Sequence, residues 1–307
     1  MLVPDRNGEM ADVLLGHETV ADCLVSDGHL GEAVGRNANR IGDAQFELNG
    51  KTYHLTGNDN GNNLHSGMDF YNIRIWETEE VTETSVRFKL HSPDGDQGYP
   101  GTADIYVTYS LDKDDKLDIF YEALSDKDTI LNMTNHSYFN LDGHNSGSVL
   151  QHTLTLEADY FTPGDAQSIP TGEILPVENT PMDFREGRKI GERIEEEYEP
   201  LRFGNGYDHN WVLKNKGNFE KVAELMAEES GIVMETYTDR PGMQIYTANF
   251  VENEVGKEGV VYGKRSAVCL ETQCYPDAVH HENFPSPVYR AGEKYTAHTA
   301  FRFLIKK

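Results

Sequence analysis

The stretch T-A-D-I-Y-V-T-Y-S-L (102–111), followed after an acidic turn at 112–115 by K-L-D-I-F-Y-E-A-L (116–124), reads as two β-strands joined by a short reversal. Apolar and polar side chains alternate along both, the period of two that a strand shows when one face is buried and the other wet. Working outward, residues 85–90, 152–158, 242–250 and 295–305 carry similar strand signals. F-E-L-N-G-K-T-Y-H-L (46–55) is a hairpin about Asn49-Gly50, a dipeptide suited to the left-handed positions of a tight turn. Many short strands with closely spaced turn residues predict an all-β fold, a β-sandwich or barrel, built as one continuous domain over residues 1–307.

Two stretches read as helix. Residues 186–197 place Ile190 and Ile194 four apart among charges, enough for a short amphipathic turn or two. Residues 219–229 (F-E-K-V-A-E-L-M-A-E-E) have strong helix propensity, but they run into Ser230-Gly231 and the strand-like I-V-M-E-T-Y-T (232–238), so a hairpin competes. The chain opens almost on a turn, V-P-D-R-N-G (3–8), with only Met1 and Leu2 before it. The expectation is that strand sequence which would pair ahead of this turn is missing.

Composition narrows the function. Asp and Glu outnumber Lys and Arg by 52 to 27, for a net charge of −25. A surface this acidic repels polyphosphates and anionic lipid, so neither nucleic acid nor membrane is an expected partner. No apolar run approaches the roughly 20 residues of a membrane helix, and the N-terminus lacks a basic and apolar leader. Cys23, Cys269 and Cys274 are odd in number and lack metal spacing, which fits reduced thiols in a cytoplasmic protein.

Residues 267–270 are apolar and deliver one carboxylate, Glu271, before the chain dissolves into Pro-rich sequence. An unpaired buried carboxylate is expensive, so a carboxylate at this place invites a chemical role. His65, His136, Asp208, Arg40 and Gln244 stand in Gly/Asn-rich loops or at strand ends; each has an ordinary structural explanation when taken alone. His280-His281-Glu282 are consecutive and do not converge as an i, i+4 pair would, so no metal site is expected. Neither a phosphate-cradling glycine loop nor a G-x-S-x-G elbow occurs. Acid–base chemistry by carboxylate and imidazole, without a cofactor, is what remains.

Taken together the motifs resemble the aldose 1-epimerases, or galactose mutarotases. The matching stretches are V-G-R-N-A-N-R-I (34–41), N-N-L-H-S-G (62–67), G-Y-P-G (98–101), T-N-H-S-Y-F-N-L (134–141), G-Y-D-H-N-W (206–211), P-G-M-Q-I-Y-T-A-N-F (241–250) and E-T-Q-C-Y-P-D-A (271–278). The resemblance implies a large antiparallel β-sandwich of the galactose-mutarotase type that interconverts the anomers of a free hexose such as glucose or galactose. It puts Glu271 in the place of the general base and His136 in that of the general acid. Asn39, Arg40, His65, Tyr138, Asp208 and Gln244 fall at or beside sugar-contacting positions. It also implies a hairpin over 219–238. Two loop positions depart from the family's habit, Ser66 where Gly is common and Asn37, and these are expected to tune affinity more than mechanism.

Other readings fit less well. An epimerase of hexose 6-phosphates would want an arginine cluster, which is not seen in the sequence. A non-catalytic sugar-binding module needs no acid–base pair. A glycoside hydrolase would want two carboxylates where the partner of Glu271 is a histidine. The expected partner is a small monosaccharide, and the protein itself a monomer or homodimer.

Overall fold

The structure is a computed structural model and describes residues 1–24, 26 and 28–306. The hairpin at 102–124 forms as its alternation predicts: Ala103–Leu111 pairs antiparallel with Lys116–Ser125, with Ile105 opposite Ala123 and Val107 opposite Tyr121. These four side chains are buried, whereas Asp104, Tyr106 and Glu122 are not. The pair sits in a nine-stranded sheet that runs, edge to edge, through Arg188–Lys189, Thr153–Leu156, Glu220–Met226, Ile232–Thr238, Lys294–Ile305, Lys116–Ser125, Ala103–Leu111, Ser85–Ser92 and Glu77–Val81. A second sheet of six strands runs through Tyr138–Phe139, Val268–Gln273, Gly242–Tyr246, Asp208–Leu213, Ala158–Thr162 and Leu175–Pro176.

The core lies between the two sheets. Ile105, Val107, Ile119 and Tyr121 of the first sheet and Phe161, Trp211, Met243, Ile245, Val268 and Leu270 of the second belong to one contiguous apolar cluster. This is the sandwich that the resemblance implied, one of the two forms strand alternation had left open. The 45–54 hairpin is also present, Gln45–Leu48 against Lys51–His54, with Asn49 and Gly50 both at positive φ.

The hairpin that competed with helix over 219–229, and that the resemblance implied, is the form found, and two other local expectations need correction. The segment 219–229 is not helical: Glu220–Met226 and Ile232–Thr238 form a hairpin, with Leu225 opposite Met234. Helix propensities differ by at most about 0.7 kcal/mol per residue among these types. Both neighbouring strands pair with this one, and Val222, Ala223 and Leu225 are buried in the core. A helix would strand two ladders of backbone hydrogen bonds, each worth about 1 kcal/mol, so the sheet wins. Residues 186–197 supply a two-residue strand and a single 3₁₀ turn, Ile190–Glu192; Ile190 and Ile194 still face the core. At the N-terminus, Val3 and Pro4 are strand: Leu2–Pro4 pairs with Met10–Asp12, and the turn begins at Asp5, whose carboxylate accepts from the Asn7 and Glu9 N–H groups.

Two short pairings carry loops from the first part of the chain over the six-stranded sheet. Arg40–Ile41 pairs with Asn63–Leu64, and Glu32–Val34 with Thr134–His136. Between them the Arg36 guanidinium is fully buried and donates to the carbonyls of Pro100 and Gly101, to Thr129 Oγ1 and to Ser92 Oγ. Among the described residues no helix is long and apolar enough to cross a membrane.

Candidate active site

Side-chain alternation on the six-stranded sheet divides core from chemistry. Val268 and Leu270 point into the core, and Cys269 and Glu271 point out of it. Register then builds rows across the outer face. Glu271 lies opposite Gln244, and Gln244 opposite Asn210; one pleat away, Tyr138, Cys269, Tyr246 and Asp208 line up across four strands. Above this face opens a cleft of about 970 Å³.

Glu271 is 2% exposed, and its Oε2 has no partner among the described residues. Its Oε1 lies 3.6 Å from His136 Nε2. His136 ends the Thr134–His136 strand; its ring stacks on Tyr138 at 4.9 Å and its Nδ1 lies 3.5 Å from Cys269 Sγ. Burial, reinforced by the charge of Asp208, pushes the Glu271 carboxyl well above the usual carboxylate range, while Arg40 opposes. Burial, with His29 adding to it, brings His136 down to about 3. Both shifts have one cause: a low-dielectric site disfavours either charge, so the resting pair prefers a protonated carboxyl beside a neutral imidazole.

The loops add the opposite wall. Asn39 and His65, both at positive φ, lock each other: the His65 N–H donates to the Asn39 carbonyl at 3.1 Å, and the Asn39 N–H donates to His65 Nδ1 at 3.2 Å. Arg40 lines the cleft with its Nε donating to Asp59 at 2.7 Å. Asp208 lines it from the sheet and accepts from Gln244 Nε2 at 2.7 Å. Gln244 itself does not line the cleft; it stands behind Asp208 and aims its carboxylate. Asn39, Arg40, His65, His136, Tyr138, Asp208 and Glu271 all line one space.

Sequence spacing could not anticipate that His65, His136 and Glu271 bring potential metal-ligating atoms within 4.8 Å of one another, because they come from three distant segments. The tautomer of His65 bears on what this trio can hold. With the Nδ1 lone pair taken by the Asn39 N–H, the neutral ring carries its proton on Nε2, a donor and not a ligand. That donor set suits a hydroxyl oxygen better than a cation.

The two departures in the loops turn out to touch. Ser66 Oγ accepts from the Asn37 N–H at 2.7 Å and donates to the Asn37 carbonyl at 3.1 Å, and neither residue lines the cleft. Several cleft residues escaped the sequence reading. Tyr246 had a signal, standing two residues after Gln244 and hence on the same strand face; His29 and Asp59 had none.

The aldose 1-epimerase family model matches residues 1–302. The human protein named galactose mutarotase is 41% identical over 304 residues, covering 99% of this chain and 87% of that one. The Haemophilus influenzae aldose 1-epimerase is 39% identical, covering 97% and 87%. Among solved structures, the GalM/aldose epimerase homologue from C. elegans superposes with a TM-score of 0.92 at 31% identity, covering 100% of this chain and 92% of its own. The galactose 1-epimerase of Lactobacillus acidophilus gives 0.85 at 27% identity, covering 98% and 87%. With the family model spanning nearly its whole length and relatives near 40% identity over the same span, this chain belongs to the aldose 1-epimerase family of isomerases.

Proposed function

We propose that the cleft binds a free hexose, glucose or galactose, and interconverts its α and β anomers, with Glu271 as base and His136 as acid. The observation that carries this is the buried Glu271 carboxyl, with one unpartnered oxygen and the other 3.6 Å from His136 Nε2, on the floor of a cleft lined by hydrogen-bonding groups. Ring opening needs both groups at once. Glu271 takes the proton from the C1 hydroxyl, the C1–O5 bond breaks as C1=O forms, and O5 takes a proton from His136. The aldehyde rotates about C1–C2, and reclosure returns both protons by the reverse transfers. Each positioned proton-transfer group supplies about 10²–10⁴-fold.

Opening converts a carboxylate and imidazolium into a carboxylic acid and neutral imidazole. Burial favours that neutral pair, so the reactive carboxylate–imidazolium form is reached from the resting pair by passing the shared proton from Glu271 to His136, and opening returns the pair to its resting form. Arg40, His65 and Asp208 offer donors and acceptors to the hydroxyls, and Tyr138 an aromatic surface to the ring. Among the described residues the cleft is lined by six carboxylates and a single arginine, itself paired with Asp59, which disfavours a phosphorylated sugar. The same charge argument, −25 over the chain, supports a small neutral sugar as the partner rather than nucleic acid or an anionic membrane.

Polarimetry on freshly dissolved α-D-galactose and α-D-glucose tests this reading. The rotation is expected to decay faster with the protein than in buffer, and to do so equally in EDTA; a rate equal to the buffer blank for both sugars would sink it.

A further inference from the structure

His29 lines the cleft, yet it belongs to none of the motifs and not to the acid–base pair. Its ring meets His65 edge-on at 5.1 Å and Phe70 at 4.8 Å, and lies 6.0 Å from His136. Its Nδ1 is 2.6 Å from Glu32 Oε2, and the other Glu32 oxygen accepts from Asn72 Nδ2. Glu32 is held in turn by the strand pairing that sets it opposite His136.

These contacts decide the polarity of the ring. A carboxylate oxygen only accepts, so Nδ1 carries a proton, and in the neutral ring Nε2 is left as a lone-pair acceptor with no protein partner among the described residues. His65 beside it has the reverse arrangement, because Asn39 occupies its Nδ1 and leaves Nε2 a donor. Arg40 on the same wall also only donates. A sugar hydroxyl both donates and accepts; beside His65 and Arg40, whose partner Asp59 already accepts from its Nε, His29 Nε2 adds an acceptor for a hydroxyl hydrogen. We propose that His29 is a specificity-determining sugar contact, fixed by Glu32 so that its Nε2 accepts a hydrogen bond from one ring hydroxyl of the bound hexose. The inference rests on the reading of the cleft as a hexose site.

The test measures binding of D-galactose and its 2-, 3-, 4- and 6-deoxy analogues by titration calorimetry, with mutarotation followed separately. His29→Phe keeps the ring packing against Phe70 and removes the acceptor. It should weaken galactose binding about 3–10-fold, and the penalty should vanish for the one analogue that lacks the contacted hydroxyl. Glu32→Gln, which lets the His29 proton move to Nε2, should weaken the same hydroxyl's contribution and serves if His29→Phe does not fold. An equal penalty on every analogue in both variants would mean that His29 merely packs, and would overturn the contact. Sugar-selective binding in a protein that does not mutarotate would overturn the proposed reaction and leave the contact standing.

Discussion

In the proposed reaction Glu271 and His136 share one proton, and the site's pH behaviour would belong to the pair rather than to either group. Activity needs that single proton present, so the rate should fall on the alkaline side as the pair loses it. Asp208 helps to raise the Glu271 carboxyl, and removing its charge lets the proton leave earlier. In Asp208→Asn the alkaline limb of kcat/KM should therefore move to lower pH; an unmoved limb would show that Asp208 acts through substrate contacts alone. Glu271→Gln, nearly isosteric, should lower kcat at least about 10²-fold while sugar binding stays measurable. Gln244→Leu removes the bond that aims Asp208, and should raise KM about threefold or more with a smaller change in kcat. Steady-state kinetics on the three variants separates these cases.

At the scale of elements, the loop 34–41 carries two arginines with different work. Arg40 reaches the cleft, whereas Arg36 is buried and ties this loop to the carbonyls of Pro100 and Gly101 and to Thr129. Truncating it leaves several buried acceptors unpaired, each costing about 1–3 kcal/mol. Arg36→Met should thus destabilise the fold by about 3 kcal/mol or more, read as a lower urea midpoint. A midpoint within error of wild type would overturn that role. Sequence placed both arginines in one motif and could not divide their labour, because position relative to the sheet is what distinguishes them. The 220–238 hairpin teaches the same lesson from the other side. Its residues favour helix locally, and only two flanking strands waiting for partners convert it to sheet.

Over the whole molecule, buried neutral histidines set the response to acid. His136 is brought down to about 3, His152 and His209 to about 4, and His65 well below its usual 6.5, each chiefly by burial. Unfolding frees all four to take up protons below about 6.5, so their contribution to stability is complete above that pH and is lost as pH falls toward 4. Glu271 and His280, both raised, oppose this with the reverse sign. Four groups outweigh two, and the melting temperature should fall from pH 7 to pH 5. A flat or rising melting temperature over that interval would contradict the buried-neutral assignment.

The alternation in 102–124 was enough to determine strands and an all-β class, and the ordered motifs from Val34 to Ala278 were enough to determine the family. Both depend on information that is local along the chain: a side-chain period of two, or a run of residue types. What only the tertiary structure decided is the state of each group once there. The 3.6 Å approach of His136 to Glu271, the opposite proton positions on His29 and His65, and the withdrawal of Gln244 behind Asp208 all arise from segments far apart in sequence. Burial and hydrogen-bond partners set protonation and tautomer, and those are properties of the packed neighbourhood that no single stretch of residues contains.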